Sequence, residues 1–380
     1  MPFIRKIVVT GGPCAGKTTG LSWIQNAFSQ RGWRVLIVPE TATELISGGV
    51  TPWTCGTNLD YQLGQMRLQV TKEQIFLAAA QSMPDEKILL VCDRGALDNK
   101  AYMNAEEFAT VLRTLQLDEM ELRDSYDAVF HLETAAKGAV DAYTLANNQA
   151  RYETADEACA LDDRIIAAWT GHQHLRVIGN AMDFENKLKR LLWEIGSAIG
   201  ADEHFEIERK FLIATPDIAW LEQQPNCHRV EIIQTYLRTE EGIEKRVRQR
   251  GENGHFLYYE TTKKPISGVK RVETERRLTS KEYLELLMNA DTTRRQLRKT
   301  RFCYTWKKQS FEIDIYPFWQ HQAVVEIELQ TEDDPIYFPP ELHILREVTD
   351  DPAYKNAALA LQIPEEEPIS SDAAPSGAAD

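Results

Sequence analysis

Residues 11–18, Gly-Gly-Pro-Cys-Ala-Gly-Lys-Thr, leave this chain few ways to begin its fold. The apolar run at 7–9 reads as a buried parallel strand, and 19–28 reads as a helix. Glycines at 11 and 16 let the connecting backbone curl, so that successive N–H groups and the helix N-terminus point at anionic oxygens. The candidate nucleotide-binding residues are therefore Gly11, Gly12, Pro13, Cys14, Ala15, Gly16, Lys17, Thr18 and Thr19. Lys17 would reach the β- and γ-phosphates, and the Thr18 hydroxyl would ligate Mg2+. The competing reading is a glycine turn with an incidental lysine, and the strand before it and helix behind it count against that.

A chain of 380 residues suits two domains, each with its own core. No apolar run approaches the roughly 20 residues of a membrane span, and residues 1–6 lack the long apolar region of a secretion signal. The six cysteines are scattered without a Cys-x-x-Cys pair, which fits buried thiols in a reducing, cytoplasmic compartment. The net charge of −15 argues against a nucleic-acid partner. Within that acidic chain the stretch 206–331 is locally cationic, suited to gripping a small polyanion.

From 1 to 198 short apolar runs (35–38, 88–92, 128–132, 175–178) alternate with helical stretches such as 63–80 and 106–115. That alternation predicts a five-stranded parallel α/β sheet with ligands at the carboxyl ends of its strands. Residues 199–204 read as a linker. From 205 to 350 period-two segments separated by turn residues predict an antiparallel sheet or barrel, interrupted by a helix at 280–288. The segment 362–380, rich in Pro, Glu, Ser and Ala, reads as a disordered acidic tail.

Two carboxylates fall at strand ends in the first region. Glu40 follows the second strand and Asp93 ends the third, with Arg94 beside it. Phosphoryl transfer needs a group to position or deprotonate the acceptor, a metal, and a cation on the developing charge. Glu40 fits the base, Asp93 a Mg2+ ligand through water, and Arg94 the cation, with Lys17 completing the catalytic set. Alternatively each carboxylate caps the next helix or closes a salt bridge. Arg151 and Arg164 lie where a helical lid would carry cations onto the phosphates, and Gly179-Asn180 where a purine ring would rest.

These residues have family counterparts. The run at 6–19, with Val38-Pro-Glu-Thr-Ala42 and Asp93-Arg94-Gly95, resembles the P-loop domain shared with the ribosylnicotinamide kinase part of NadR. Deoxynucleoside kinases show a similar strand-two Glu and an acidic-Arg pair, which implies base and cation roles for Glu40 and Arg94.

In the second region strand after strand carries two charges at i, i+2, and so on one face. They are Glu206, Glu208 and Lys210; Arg246 and Arg248; Arg271, Glu273 and Glu275; Lys299 and Arg301; Glu312 and Asp314; Glu326 and Glu328, with Lys263 at a strand end. If these faces all point inward they make a polar tunnel. Lys210, Arg246, Arg248, Lys263, Arg271, Lys299 and Arg301 would hold phosphates. Glu206, Glu208, Glu273, Glu275, Asp314, Glu326 and Glu328 would hold Mg2+ or Mn2+. The series resembles the CYTH, or triphosphate tunnel metalloenzyme, family, whose opening Glu-x-Glu-x-Lys motif stands here as Glu206, Glu208 and Lys210. That resemblance implies triphosphate binding.

The order of the two domains looks like the TRPL translocation defect protein family, which implies GTP binding in the first domain and phosphoinositide or phosphatidic-acid binding in the second. Three functions follow as expectations: a Mg2+-dependent triphosphatase with an ATP or GTP site, a nucleotide-regulated binder of anionic lipid headgroups with peripheral membrane contact, or a small-molecule, nucleoside-like kinase.

Overall fold

The computed structural model describes residues 2–138, 154–201, 207–240, 242–267, 270–329 and 333–367, with the backbone alone at 264–267 and 270–273. The chain divides into two compact units, Met1–Phe205 with Lys307–Gln309, and Glu206–Trp306 with Ser310–Asp380.

In the first unit, β1 (Phe3–Gly11) is followed by α1 (Lys17–Gln30), β2 (Arg34–Val38), α2 (Thr41–Ser47) and α3 (Asn58–Ser82). Next come β3 (Lys87–Asp93), a 3-10 turn (Ala96–Tyr102), α4 (Ala105–Leu115), α5 (Glu119–Arg123) and β4 (Ala128–Leu132). The unit ends with α6 (Ala155–Trp169), β5 (Leu175–Ile178) and α7 (Phe184–Ile199). The strands form one parallel sheet in the order β2-β3-β1-β4-β5. Residues 7–9 of β1 and 88–92 of β3 form apolar, fully buried runs because both faces of the sheet are covered. Ile7 and Val9 pack with Ile24 and Phe28 of α1 and with Leu188, Leu191 and Ile195 of α7. Val8 points the other way, toward Met66 of α3 and Leu161, Ile165 and Trp169 of α6. Ile24 and Phe28 are fully buried, each contributing about 1.5–3 kcal/mol of transfer free energy.

The second unit runs β6 (Ile207–Ala214), α8 (Ile218–Gln223), β7 (Cys227–Tyr236), β8 (Glu244–Glu252), β9 (His255–Ser267) and β10 (Lys270–Leu278). Then follow α9 (Ser280–Leu287), β11 (Leu297–Trp306), β12 (Gln309–Ile315), β13 (Gln322–Leu329), β14 (Ile344–Glu347) and α10 (Asn356–Leu359). They build a nine-stranded sheet in the order β10-β9-β8-β7-β11-β12-β13-β6-β14. From β10 through to β11, and again from β12 to β14, each strand runs antiparallel to its neighbour, so the expected sheet is present. Closure into a barrel is not: among the described residues β10 and β14 are the end strands. The end strand β14 is only four residues long and pairs irregularly with β6.

The segment expected to begin a disordered tail at 362 is also different. Ile363 packs against the cluster of Leu212, Tyr316, Tyr354 and Leu359. Trp319 donates from Nε1 to the Pro364 carbonyl (3.2 Å), and Arg346 pairs with Glu367 (2.6 Å). An apolar residue and paired carboxylates hold 362–367 where composition alone suggested nothing would. Residues 368–380 lie outside the described residues.

Candidate phosphate-binding sites

The phosphate loop of the first unit is shaped by two close approaches. A Cβ at Gly11 (φ +149°) would meet the Leu132 carbonyl oxygen at 2.0 Å, and one at Gly16 (φ +91°) would meet the Phe184 ring at 2.5 Å. No larger side chain fits either position. Gly16 is the N-cap of α1, so the amides of its first turn, at Lys17 and Thr18, have no helical acceptors of their own. Lys17 is buried, with its ammonium 3.4 Å from the Gly11 carbonyl oxygen. Burial, reinforced by Arg94, pushes its pKa down. Thr18 and Thr19 are exposed beside it.

Glu40, Asp93 and Arg94 come together next to this lysine. Arg94 Nε donates to Glu40 Oε1 at 2.5 Å, and Thr43 Oγ1 donates to Glu40 Oε2 at 2.6 Å. Burial pushes the Glu40 carboxyl up, but Arg94 and Lys17 outweigh it and hold the pKa at about 2. Such a group positions an acceptor better than it takes a proton. Burial raises the Asp93 pKa against the pull of Lys17, and Asp93 Oδ1 is a buried atom with no hydrogen-bond partner among the described residues. A lone acceptor oxygen near the phosphate loop fits a water of a hydrated Mg2+. Asp98, which the sequence did not single out, accepts from Thr10 Oγ1 (2.6 Å) and Trp169 Nε1 (2.5 Å) and lies 3.5 Å from Arg94 Nη1.

Of the expected lid arginines, the structure describes Arg164 alone. Arg164 Nε donates to the Ala101 carbonyl (2.9 Å) in the 3-10 turn, while Arg151 lies outside the described residues. Asn180 is also engaged, donating to the carbonyls of Thr134 (2.8 Å) and Lys137 (2.7 Å).

Two further charged residues hold the loop, and sequence reading missed both. Asp162 Oδ1 accepts from the backbone N–H of Gly12 (2.9 Å) and of Thr134 (3.1 Å) and lies 2.9 Å from His131 Nε2. Despite burial, His131 and Lys137 hold its pKa well below the usual carboxylate range. Lys187 donates to the carbonyl oxygens of Ala15 (3.2 Å) and Glu133 (2.7 Å) and to Asn180 Oδ1 (2.7 Å). Burial lowers its pKa to about 8. A signal was available for both, because Asp162 interrupts the buried stripe of α6 and Lys187 that of α7.

In the second unit register assembles the charges. Lys210 lies opposite Glu326, Glu208 opposite Glu328, and Glu312 opposite Glu326. Lys299 and Arg301 face Ile232 and Val230, whose strand continues through Gln234 and Tyr236 to Arg248 and Arg246. Arg246 faces Thr261, and Thr261 and Lys263 face Glu275 and Glu273. Directly opposed residues share a face, so one face of the sheet carries the charge series. Arg271, opposite Pro265, falls at the same register position. The side chains of Arg271 and Glu273, and all of Glu206, lie outside the described residues. Arg250, opposite Ile232 and almost fully buried, extends the Arg246/Arg248 series by one more i+2 step.

Ion pairs knit this face together. Arg301 contacts Asp314 through Nε and Nη2 (both 2.7 Å), Glu326 through Nη2 (2.8 Å), and Glu312. Lys299 also pairs with Asp314, Lys210 with Glu326 (2.7 Å), and Arg248 with Glu275 (2.8 Å). Asp314 is fully buried. Glu328 is exposed and Glu208 half exposed. The Glu208 carboxyl is pushed up to about 7 by desolvation and by Glu326, while Lys210 and Arg301 hold Glu326 low. Desolvation likewise raises Glu312. Among the described residues no three His, Cys, Asp or Glu side chains form a ready metal cluster. Like charges directly opposed across a ladder are nonetheless unfavourable, and Glu208/Glu328 and Glu312/Glu326 are such pairs. An oxygen donor set under that repulsion suits a hard divalent cation. At one end the same face turns apolar, where Leu212, Tyr316 and Val324 meet Tyr354 and Leu359.

A phosphate loop on a parallel α/β sheet and a charged face on an antiparallel sheet define a two-unit, phosphate-handling protein. Residues 6–187 match the AAA domain family. Over 163 residues the chain is 38% identical to the inorganic triphosphatase of Nitrosomonas europaea, covering 42% of this chain and 99% of that protein. It thus belongs to the family of that inorganic triphosphatase and is a hydrolase by class. A crystal structure of an inorganic triphosphatase matches at 35% identity, covering 43% of this chain and 99% of that one, with a TM-score of 0.31. The NadR protein in complex with NAD and AMP-PNP matches at 13% identity, covering 53% and 51%, with a TM-score of 0.38. No helix among the described residues is long and apolar enough to cross a membrane.

Proposed function

We propose that the second unit is the triphosphatase-like part and hydrolyses inorganic triphosphate with Mg2+ or Mn2+, while the first unit binds ATP or GTP. The observation that carries this reading is the single sheet face on which buried Lys210, Lys299 and Arg301 interleave with Asp314 and Glu326. Buried charges are tolerated only when paired. A polyphosphate entering this face supplies anionic oxygens that can replace carboxylates as partners of the same cations.

Lys210, Arg246, Arg248, Lys263, Lys299 and Arg301 grip the phosphates. Glu206, Glu208, Glu312 and Glu328 supply the oxygen donors for the divalent ion, whose charge would offset that of the triphosphate. Glu208, which the fold alone pushes up to about 7, would be held ionised by that cation, and the proton of the attacking water passes to solvent. Water oxygen forms a bond to the terminal phosphorus, the bridging P–O bond breaks, and pyrophosphate leaves with the electron pair. In the first unit the loop amides and Lys17 hold the nucleotide phosphates. Thr18 and Asp93 fit Mg2+ and its water, and Glu40 with Arg94 lies at the terminal phosphate.

The test is phosphate release from tripolyphosphate, ATP and GTP, with either metal, by wild type, Lys17→Ala and Glu208→Gln. Tripolyphosphate turnover lost in Glu208→Gln and retained in Lys17→Ala is the expected result. Full turnover in Glu208→Gln would falsify the assignment of hydrolysis to this face.

A further inference from the structure

Asp98, in the first turn of the 3-10 segment after β3, is a carboxylate that the mechanism above does not use. It is 2% exposed, and each of its oxygens accepts from a neutral, fully buried donor. Thr10 Oγ1 donates to Oδ2 at 2.6 Å and Trp169 Nε1 to Oδ1 at 2.5 Å. Such donors fix the orientation of a carboxylate but supply no counter-charge, and a buried charge without one is costly. The counter-charge is Arg94, whose Nη1 lies 3.5 Å from Asp98 Oδ2. That distance is beyond a good hydrogen bond yet short enough for the charges to attract.

The rest of Arg94 is firmly held. Its backbone sits in the left-handed region (φ 68°), rare for a residue with a side chain. Its N–H donates to the Val9 carbonyl (3.1 Å), and its own carbonyl accepts from Gln69 Nε2 (3.2 Å). The next residue, Gly95, lies so close to Trp169 that a Cβ there would meet the indole at 2.7 Å. Arg94 Nε is spent on Glu40, whereas Nη1 is a buried atom without a hydrogen-bond partner among the described residues. After burial itself, Arg94 is the strongest influence lowering the Lys17 pKa, so the two cations act on one volume. A buried charged donor left unpaired is expensive, and a native protein that keeps one has a use for it.

We propose that Asp98 is a positioning residue that keeps Arg94 Nη1 available to the terminal phosphate of a nucleoside triphosphate, so that the first unit prefers the triphosphate to the diphosphate. Thr10 and Trp169 orient both Asp98 oxygens, and the carboxylate therefore draws the guanidinium toward the Thr10 end of β1 by charge without binding it. Without that pull the guanidinium is free to close on Glu40 as a two-pronged fork and turn from the phosphate. The loop amides hold the phosphates that both nucleotides share, while Arg94 adds a bond that only the terminal phosphate completes. Asp98 itself touches no nucleotide. The proposal rests on the reading that the first unit binds ATP or GTP.

The full chain is titrated calorimetrically, with Mg2+ present, against non-hydrolysable analogues of ATP and GTP and against ADP and GDP. The heat lost in Lys17→Ala is assigned to the first unit. Wild type is expected to prefer one triphosphate to its diphosphate by about tenfold or more, the worth of a charge-assisted hydrogen bond. Asp98→Asn is expected to keep the diphosphate affinity and lose most of that preference. Should Asp98→Asn not fold, Thr10→Val removes one neutral donor, frees Asp98 Oδ2 to take Arg94 Nη1, and is expected to lower the preference in the same way. Equal affinities in wild type, or a preference unchanged or increased in the folded variant, overturn the proposal. So does a parallel loss of both nucleotides, the mark of a merely structural Asp98. Absence of any heat that depends on Lys17 overturns the nucleotide reading itself, and the proposal with it.

Discussion

The two units meet phosphate with opposite preparations. In the first, Lys17 is buried beside a backbone carbonyl 3.4 Å away, and the amides of the α1 first turn are unclaimed by the helix. In the second, Arg301 and Lys299 are buried against Asp314, and Lys210 against Glu326. One site is held open by glycine geometry, whereas the other is satisfied within itself and must exchange partners to bind. A loop of neutral amides costs less to leave empty than bare buried charge does. An array of buried cations cannot be left bare, so its resting state carries its own anions.

The comparison breaks first at Arg301. Arg301→Ala leaves Asp314, Glu312 and Glu326 facing one another without their shared cation, and should cost about 3–5 kcal/mol of stability. Denaturant unfolding of the full chain reads this as an early loss of the second unit, and an unchanged midpoint would mean the face is not internally compensated. Lys17→Met should do the reverse. It removes a desolvated cation whose pKa is already pushed down, so the melting temperature holds or rises. ATP or GTP affinity falls by about tenfold to a hundredfold, the worth of a charge-assisted contact. A destabilised Lys17→Met with normal nucleotide affinity would erase the contrast.

The same contrast explains what the sequence disclosed. The phosphate loop was legible because its parts are consecutive, with apolar β1 before and α1 behind. The charge series was legible as i, i+2 pairs, and register then placed the pairs on one face. Closure into a barrel was not legible, since it depends on how strands such as β14 meet their neighbours. Nor was the anchoring of 362–367, which rests on Trp319 and Arg346 rather than on its own composition. Asp162 and Lys187 escaped because charged residues on helices read as solvated. Their positions within the buried stripes of α6 and α7 carried the information. Nor could sequence show that the Ala101 carbonyl takes the Nε of Arg164.

The contrast sharpens with pH. His172, buried in the first unit, donates from Nε2 to the Tyr126 carbonyl (2.9 Å), and desolvation lowers its pKa from 6.5 to about 3. Since a protonated ring cannot stay buried there, the unfolded chain binds more protons between those values. The first unit therefore gains stability as pH rises from about 3 to 6.5. Acid-induced loss should be relieved in a His172→Gln variant, measured as a flatter dependence of its melting temperature on pH.

Glu208 runs the other way, and its effect is the smallest because the side chain is half exposed. Its pKa rises from 4.5 to about 7 on folding. The stability it contributes is whole below 4.5 and is lost as pH climbs through about 7. Over pH 5 to 6.5 rising pH thus strengthens one unit and weakens the other through these two groups. Glu208→Gln should raise the melting temperature of the second unit slightly at pH 8 and leave it unchanged at pH 4. Saturating Mg2+ should narrow that difference in the wild type, because a cation lowers the cost of the ionised carboxylate that the fold alone leaves uncompensated. A Glu208→Gln protein that melts lower than wild type at pH 8 would place Glu208 among the structural ion pairs and leave the face without its vacant acid.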